Sequence, residues 1–257
     1  MCCMMRLSAI SLTAFLPSSS SSPASETAVI VCPGGSYCWL DVTTEGDSVA
    51  RSLQQAGIAA YVLKYRTAGF LPFLTHSRLI IPSYHHTMPL NDVQEAIRQV
   101  RSLGKYKHIG VMGFSAGGHL VLSAGVFGRG ELRPDFVVSC YPVVTMSHPS
   151  VHKRSRRALL GEWKKWSHRM RDSLSVERHV TGDMPPVFLM NCVDDKTVDY
   201  RNSVLMDSAL TACHVPHRYI QYRTGGHGFG TTWSKTTEEA SHWFDELLNW
   251  FKTITWK

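Results

Sequence analysis

The feature that most constrains this chain is a repeated alternation: short apolar, β-branched runs take turns with segments whose apolar residues recur at helical spacing. Ala28 to Cys32 is one such run, closed by Pro33, Gly34 and Gly35, and it reads as a buried strand ending in a glycine turn. Val49, Leu53 and Ala56 then mark a helix that Gly57 ends, and Ile58 to Tyr65 is a second buried strand. Leu90, Val93, Ile97, Val100 and Leu103 form one face of a helix beginning near Asn91, ahead of a strand at His108 to Phe114. The series continues with a helix from Ala116, strands at Phe136 to Tyr141 and Val187 to Cys192, and a helix around Val204 to Ala212. It closes on a strand at His217 to Tyr222 and a helix with Ala240, Trp243, Phe244, Leu247, Leu248 and Phe251 on one face. Strands that are apolar throughout need cover on both sides, and the intervening helices supply it. The pattern predicts an α/β fold with a mostly parallel sheet and helices on both faces. In such sheets ligands bind outside the carboxyl ends of the strands.

At 257 residues, 44% hydrophobic and 18% charged, the chain is sized for one core of this kind, and no linker divides it, so residues 1–257 are expected to form one domain. Leu12 to Leu16 before Pro17 reads as an N-terminal strand, with a flexible serine-rich loop completing residues 1–27. Arg6 followed by Leu7 to Leu16 also has the layout of a signal peptide, which would make the protein exported; the strand reading goes with a cytoplasmic one. Thr67 to Pro89 is expected to run over the surface, and residues 142–186 to form a cap or loop excursion.

Composition removes several function classes. The seven cysteines are odd in number and show no C-x-x-C spacing, which points to a reducing compartment and to neither a zinc site nor a disulfide framework. No run of about 18 apolar residues occurs, so neither a spanning helix nor a membrane partner is expected. The formal charge of +7 is gathered largely in Lys153, Arg154, Arg156, Arg157, Lys164, Lys165, Arg169 and Arg171. This is one local segment without a nucleic-acid-binding signature, so it is expected to be a solvated loop face, with no nucleic-acid partner.

Chemistry enters at the strand ends. Gly113-Phe114-Ser115-Ala116-Gly117 is a G-x-S-x-G sequence lying where an apolar strand meets a helix, the setting a nucleophile elbow requires. A serine hydroxyl is a poor nucleophile at neutral pH and needs a base within hydrogen-bond reach, oriented by a carboxylate. Asp194 and Asp195 follow directly on one predicted strand. His227 follows another, flanked by four glycines that let the backbone turn the ring back towards the serine. Backbone N–H groups must also face the developing oxyanion. Ala116, next after the serine, can supply one, and the turn Pro33-Gly34-Gly35-Ser36 the second, with Gly35 the first choice and Gly34 and Ser36 the alternatives.

Val29 to Tyr37, Glu45-Gly46, Val62 to Arg66, Val111 to Leu120, Asp194-Asp195 through Val198 to Asn202-Ser203, and Gly225 to Gly230 resemble the α/β-hydrolase group that contains bacterial acetyl xylan esterases and related carbohydrate esterases. The similarity spans nearly the whole chain. It implies a serine esterase acting on short acyl groups, often acetyl, carried by sugars, with a small-molecule or oligosaccharide ester as substrate and no metal or organic cofactor. It also implies that the acid is Asp195, three residues before Val198, rather than Asp194, and that Leu12 to Leu16 belongs to the first strands of the fold. The chain departs from the group in having Ser36 where a third glycine is usual, and in a more cationic stretch from His152 to Arg157. Two other functions compete with the esterase: a serine peptidase of the prolyl-oligopeptidase type, and a non-catalytic carbohydrate-binding module using Trp39, Trp163 and Trp166.

Overall fold

The computed structural model describes residues 4–5, 10–18, 26–75 and 86–254. Residues 6–9, most of the serine run and the middle of the Thr67 to Pro89 excursion lie outside the described residues. Eight strands form one sheet: β1 (Met4–Met5), β2 (Ser11–Phe15), β3 (Thr27–Cys32), β4 (Ala59–Lys64), β5 (His108–Phe114), β6 (Val137–Cys140), β7 (Val187–Cys192) and β8 (His217–Tyr222). Their spatial order is β1-β2-β4-β3-β5-β6-β7-β8. β1 to β2 and β2 to β4 are antiparallel, and every pairing from β4 onward is parallel.

The nine α-helices among the described residues are α1 (Ser48–Gln55), α2 (Phe70–Leu74), α3 (Met88–Ser102), α4 (Ala116–Phe127), α5 (Lys153–Lys164), α6 (His168–Ser173), α7 (Arg201–Ala212), α8 (Glu238–Ser241) and α9 (Trp243–Thr253). The strand and helix expectations agree with these elements to within a few residues. The last predicted helix is broken at His242, where ψ rises to −5°, and Pro89 lets α3 start ahead of Asn91 because a first-turn proline gives up no intrahelical hydrogen bond.

The sheet alternates its side chains between two cores. Ala28, Ile30 and Cys32 of β3 pack with α3, α4 and α7 on one face, through Val93, Ile97, Leu120, Met206 and Leu210. Val29 and Val31 face the other side, where Val49 and Leu53 of α1 and Trp243 and Leu247 of α9 close the second core. This two-sided burial is why the strand reads as an unbroken apolar run rather than an alternating one.

The chain moves from β3 out to β4 and then returns to lay β5 on the other side of β3, so the sheet changes direction between β3 and β5. A crevice at the carboxyl ends of the strands is expected there. Cys32 pairs with Gly113, which sets the glycine turn after β3 directly beside the elbow after β5.

The basic segment is not the solvated loop expected of it. Lys153 to Lys164 is α5, kinked at Gly161 (φ 81°), and it buries Ser155, Ala158, Leu159 and Leu160. Half of its cations are held by hydrogen bonds or ion pairs, and Arg154 lies over the Trp39 ring. Arg156 donates to the Met146 carbonyl, and Arg157 to Glu162 and to the Phe73 carbonyl while lying over the Phe73 ring. Lys165 pairs with Glu162, and Arg171 donates to the Lys165 carbonyl. Lys153, Arg154, Lys164 and Arg169 remain exposed. The stretch was unreadable as a helix because its apolar residues occupy one short turn, outnumbered by cations whose alkyl stems and head groups do much of the packing.

Candidate active site

Ser115 sits at the junction of β5 and α4 with φ 55° and ψ −117°, a conformation that costs on the order of 1–3 kcal/mol for a side chain of its kind. The turn is possible only because its neighbours are glycines. A Cβ on Gly113 would lie 2.1 Å from the Gly117 carbonyl oxygen, and one on Gly117 would lie 2.1 Å from that of Cys32. The hydroxyl is therefore lifted off the sheet's edge, with the Ser115 N–H anchored to the Cys140 carbonyl at 3.0 Å.

Ser115 Oγ is 2.9 Å from His227 Nε2, and His227 Nδ1 is 2.5 Å from Asp195 Oδ2. The carboxylate can only accept, so Nδ1 carries the ring proton and Nε2 is left bare to accept from the serine hydroxyl. The Asp195 side chain is 1% exposed, and its other oxygen takes the N–H groups of Thr197 (2.7 Å) and Val198 (2.9 Å), which hold it in place. Of the two adjacent aspartates, Asp195 is thus the one the structure brings to the ring. Asp194 points the other way and accepts from Gly225 N–H (3.2 Å) and Gly226 N–H (2.9 Å), tying down the loop that carries the histidine.

The glycine turn reaches Ser115 closely. A Cβ on Gly34 would lie 2.8 Å from the Phe114 carbonyl oxygen and 2.9 Å from Ser115 Cβ. Gly34 N–H is taken by Glu45 Oε2 at 2.8 Å, which removes Gly34 from the candidate oxyanion donors. Gly35 N–H and Ala116 N–H, by contrast, meet no acceptor among the described residues. Ser36, where the resembled group usually has a third glycine, adopts the left-handed conformation a glycine would take freely (φ 58°), and Tyr37 follows it there (φ 62°). The turn keeps its shape despite that cost because it is fastened around its length. Tyr65 donates to the Pro33 carbonyl at 2.7 Å. His119 Nε2–H donates to the Leu174 carbonyl, so its Nδ1 accepts from the Tyr37 hydroxyl at 2.8 Å. Burial lowers the pKa of His119 to about 4, which keeps that ring neutral and the tautomer fixed.

Three further residues complete the surroundings, and motif spacing could not single them out. Glu45 is 3% exposed and lies in the wide turn Val42–Asp47 that runs into α1. Burial, chiefly, raises its pKa to about 7, while His227, the Gly34 N–H and the Tyr141 hydroxyl pull it back. Tyr141, just past β6, donates to Glu45 Oε1 at 3.0 Å, accepts from Gly230 N–H at 3.0 Å, and lays its ring 4.7 Å from that of His227. His152 faces the same region from the start of α5. Burial first, then the proximity of His227 and Arg154, lowers its pKa to about 4. It lines a cleft of about 440 Å³ together with Ser150, Asp195, Thr197, Tyr200 and Arg201.

Trp39, Trp163 and Trp166 are all exposed. Trp39 meets Phe70 edge-on and lies under Arg154, whereas Trp166 lies beneath Lys165 and Arg171.

A family model described as BD-FAE matches residues 12–210. The chain belongs to the BD-FAE family. Among relatives of this BD-FAE chain, the acetylxylan esterase of Xylanibacter ruminicola is 31% identical over 251 residues, which are 95% of this chain and 48% of that protein. Endo-1,4-beta-xylanase B of Butyrivibrio fibrisolvens is 32% identical over 216 residues, 78% of this chain and 32% of that one. The chain thus spans half or less of the curated relatives it matches. Among solved structures, an acetyl ester-xyloside bifunctional hydrolase from Caldicellulosiruptor lactoaceticus superposes with a TM-score of 0.80 at 31% identity, covering 95% of this chain and 88% of that one. The BD-FAE chain has the α/β-hydrolase fold that the sequence resemblance implied.

Proposed function

We propose that this protein is a serine carboxylesterase that hydrolyses short-chain acyl esters, chiefly acetyl, carried by carbohydrates. The observation that carries the reading is the hydrogen-bonded chain Ser115–His227–Asp195, with links of 2.9 and 2.5 Å, on a strained elbow, together with the Gly35 and Ala116 N–H groups, which meet no acceptor among the described residues. The sequence similarity to an acetylxylan esterase, and the structural similarity to an acetyl ester-xyloside hydrolase, support acetylated sugars as the substrate class.

In this reading Ser115 Oγ attacks the ester carbonyl carbon as its proton passes to His227 Nε2, and Asp195 holds the imidazolium that forms. Gly35 and Ala116 N–H receive the carbonyl oxygen as it becomes an oxyanion. Collapse breaks the bond between the acyl carbon and the sugar oxygen; the sugar leaves as an alcohol with the proton from His227, and the acyl group stays esterified to Ser115 Oγ. Water then repeats the sequence, giving up its proton to His227 and releasing the carboxylic acid and free serine.

The test is a panel of acetylated sugars and p-nitrophenyl esters of rising acyl length, run on the wild type and on Ser115→Ala. Turnover should be highest on acetyl and fall with chain length, and Ser115→Ala should lose about 10³-fold or more while remaining folded. A folded Ser115→Ala within tenfold of the wild type would sink the assignment. Activity rising with acyl length would refute the acetyl preference alone.

A further inference from the structure

Among the described residues, Glu45 is the one buried carboxyl group near the reacting atoms that the mechanism above leaves without a task. We propose that Glu45 is a positioning residue for that hydrolysis: through Gly34 on one side and Tyr141 and Gly230 on the other, it holds the oxyanion turn and the histidine loop in a single register. The inference rests on the serine-esterase reading of the same site.

The geometry assigns each carboxylate oxygen to a different half of the site. Oε2 takes Gly34 N–H at 2.8 Å and thereby sets the plane of the Pro33–Gly34 peptide. The next peptide carries the Gly35 N–H that would meet the oxyanion, so a rotation at Gly34 would swing that donor away from Ser115. Oε1 takes the Tyr141 hydroxyl at 3.0 Å, and the same hydroxyl accepts Gly230 N–H at 3.0 Å. Gly230, at φ 51°, ends the loop that carries His227, and its carbonyl is held by Trp243 Nε1 at 2.9 Å. The Tyr141 ring lies against the imidazole. The carboxyl group is wedged between the two segments: a Cβ on Gly34 would lie 2.5 Å from Oε2, and one on Gly228 would lie 4.0 Å from Oε1.

Packing alone does not explain an acid at this position. A buried carboxyl gives up its hydration before its partners offset the loss, and an apolar side chain of similar volume would fill the space without that cost. What the acid supplies is two acceptors at once, aimed at donors that apolar residues would leave orphaned. The groups facing it are Asp41 from its own turn, Cys140 and Tyr141 from the end of β6, and His227 from the loop after β8. Positive charge on His227 favours the Glu45 carboxylate.

The experiment compares kcat and KM on p-nitrophenyl acetate at pH 8 for the wild type, Glu45→Gln, Tyr141→Phe and the double variant, with near-ultraviolet circular dichroism to establish the folded fraction. Glutamine keeps one acceptor and replaces the other with a donor. Glu45→Gln should lower kcat per folded molecule by about 10- to 100-fold with KM within about threefold, the mark of an interaction felt in the transition state rather than in substrate binding. Tyr141→Phe should lower kcat by roughly 5- to 20-fold, and the double variant should lose much less than the product of the two, because both act through one chain of bonds. A purely structural role would lower the folded fraction and leave kcat per folded molecule unchanged. A folded Glu45→Gln with kcat within threefold of the wild type overturns the inference; if that variant does not fold, Tyr141→Phe within twofold of the wild type overturns it. A wild type with no turnover dependent on Ser115 overturns the esterase reading and this inference together, whereas serine-dependent turnover that is indifferent to Glu45 overturns this inference alone.

Discussion

Glu45→Gln also makes a prediction that needs no substrate, because it removes one ionisable proton from the interior while leaving shape and size nearly unchanged. The Glu45 carboxyl titrates near 4.5 in its ordinary state and near 7 in the fold, with burial the main cause. The sign follows from proton counting. Below about pH 4.5 the group is protonated in both the folded and unfolded chain, and it contributes no slope. Between about 4.5 and 7 the unfolded chain releases the proton while the folded chain retains it, so stability falls as pH rises. Above 7 both forms are ionised and the full loss has been incurred. At about 1.4 kcal/mol per pH unit, the interval from 4.5 to about 7 amounts to roughly 3 kcal/mol. The assay is reversible urea unfolding of wild type and Glu45→Gln at half-unit steps from pH 4 to 8. Taking the difference between the two proteins removes every other titrating group common to both. That difference should move in favour of the glutamine variant by about 3 kcal/mol across the window and flatten on either side of it. The variant would then gain relative stability at the alkaline pH where its kcat falls, a trade expected where an interior charge is kept for function. A difference constant to within about 0.5 kcal/mol from pH 4 to 8 would refute the reasoning, as would a slope of the opposite sign.

Two other substitutions separate roles that the sequence leaves entangled. Asp195→Asn should reduce kcat by about 10²- to 10⁴-fold, since the amide no longer holds the imidazole in the required tautomer. Asp194→Asn should cost about tenfold or less, because an amide oxygen can still accept from Gly225 or Gly226; steady-state kinetics on p-nitrophenyl acetate would show the reverse order if Asp194 were the acid. Arg157→Ala should destabilise the fold by about 1–2 kcal/mol, lowering the melting temperature by about 2–4 °C, because the residue is bonded to Glu162 and the Phe73 carbonyl and lies 4.2 Å from the Phe73 ring centroid. An unchanged melting temperature would mean that this part of α5 is solvated after all.

The sheet was legible because its central strands are buried on both faces, and a run such as Ala28 to Cys32 has few other ways to be satisfied. The elbow was legible for a related reason. Gly113 and Gly117 leave no space for a Cβ, so local sterics write themselves into the sequence as missing side chains on either side of Ser115. α5 was illegible because its helical face is short and its cations are partly structural, and charge counts cannot separate an arginine in water from one bonded to a carbonyl. Glu45 and Tyr141 were illegible in a different way. They lie 96 positions apart, Glu45 entered the sequence reading only through the resembling Glu45-Gly46 pair and Tyr141 only as the end of a predicted strand, and what unites them is the register of β3, β5 and β6, which no single segment encodes. The exclusion of Gly34 as an oxyanion donor has the same origin, since its N–H is claimed from eleven residues away.

The adjacent aspartates show how a strand end multiplies the use of one short stretch of chain. β7 stops at Cys192, and the Val193 N–H is held by the Tyr222 carbonyl, so the turn that follows is anchored to β8 immediately before the histidine loop departs. From that anchored turn two consecutive carboxylates diverge. Asp195 reaches the imidazole, and Asp194 reaches the two peptide N–H groups at the base of the loop that presents it. One fixes the ring's orientation, and the other fixes the backbone from which the ring hangs. Glu45 and Tyr141 secure the far end of the same loop at Gly230. A segment containing three glycines with positive φ, at 225, 226 and 228, would otherwise be free to sample many conformations. Hydrogen bonds at both of its ends reconcile that freedom, which the sharp return towards Ser115 demands, with the fixed 2.9 Å contact between His227 Nε2 and Ser115 Oγ.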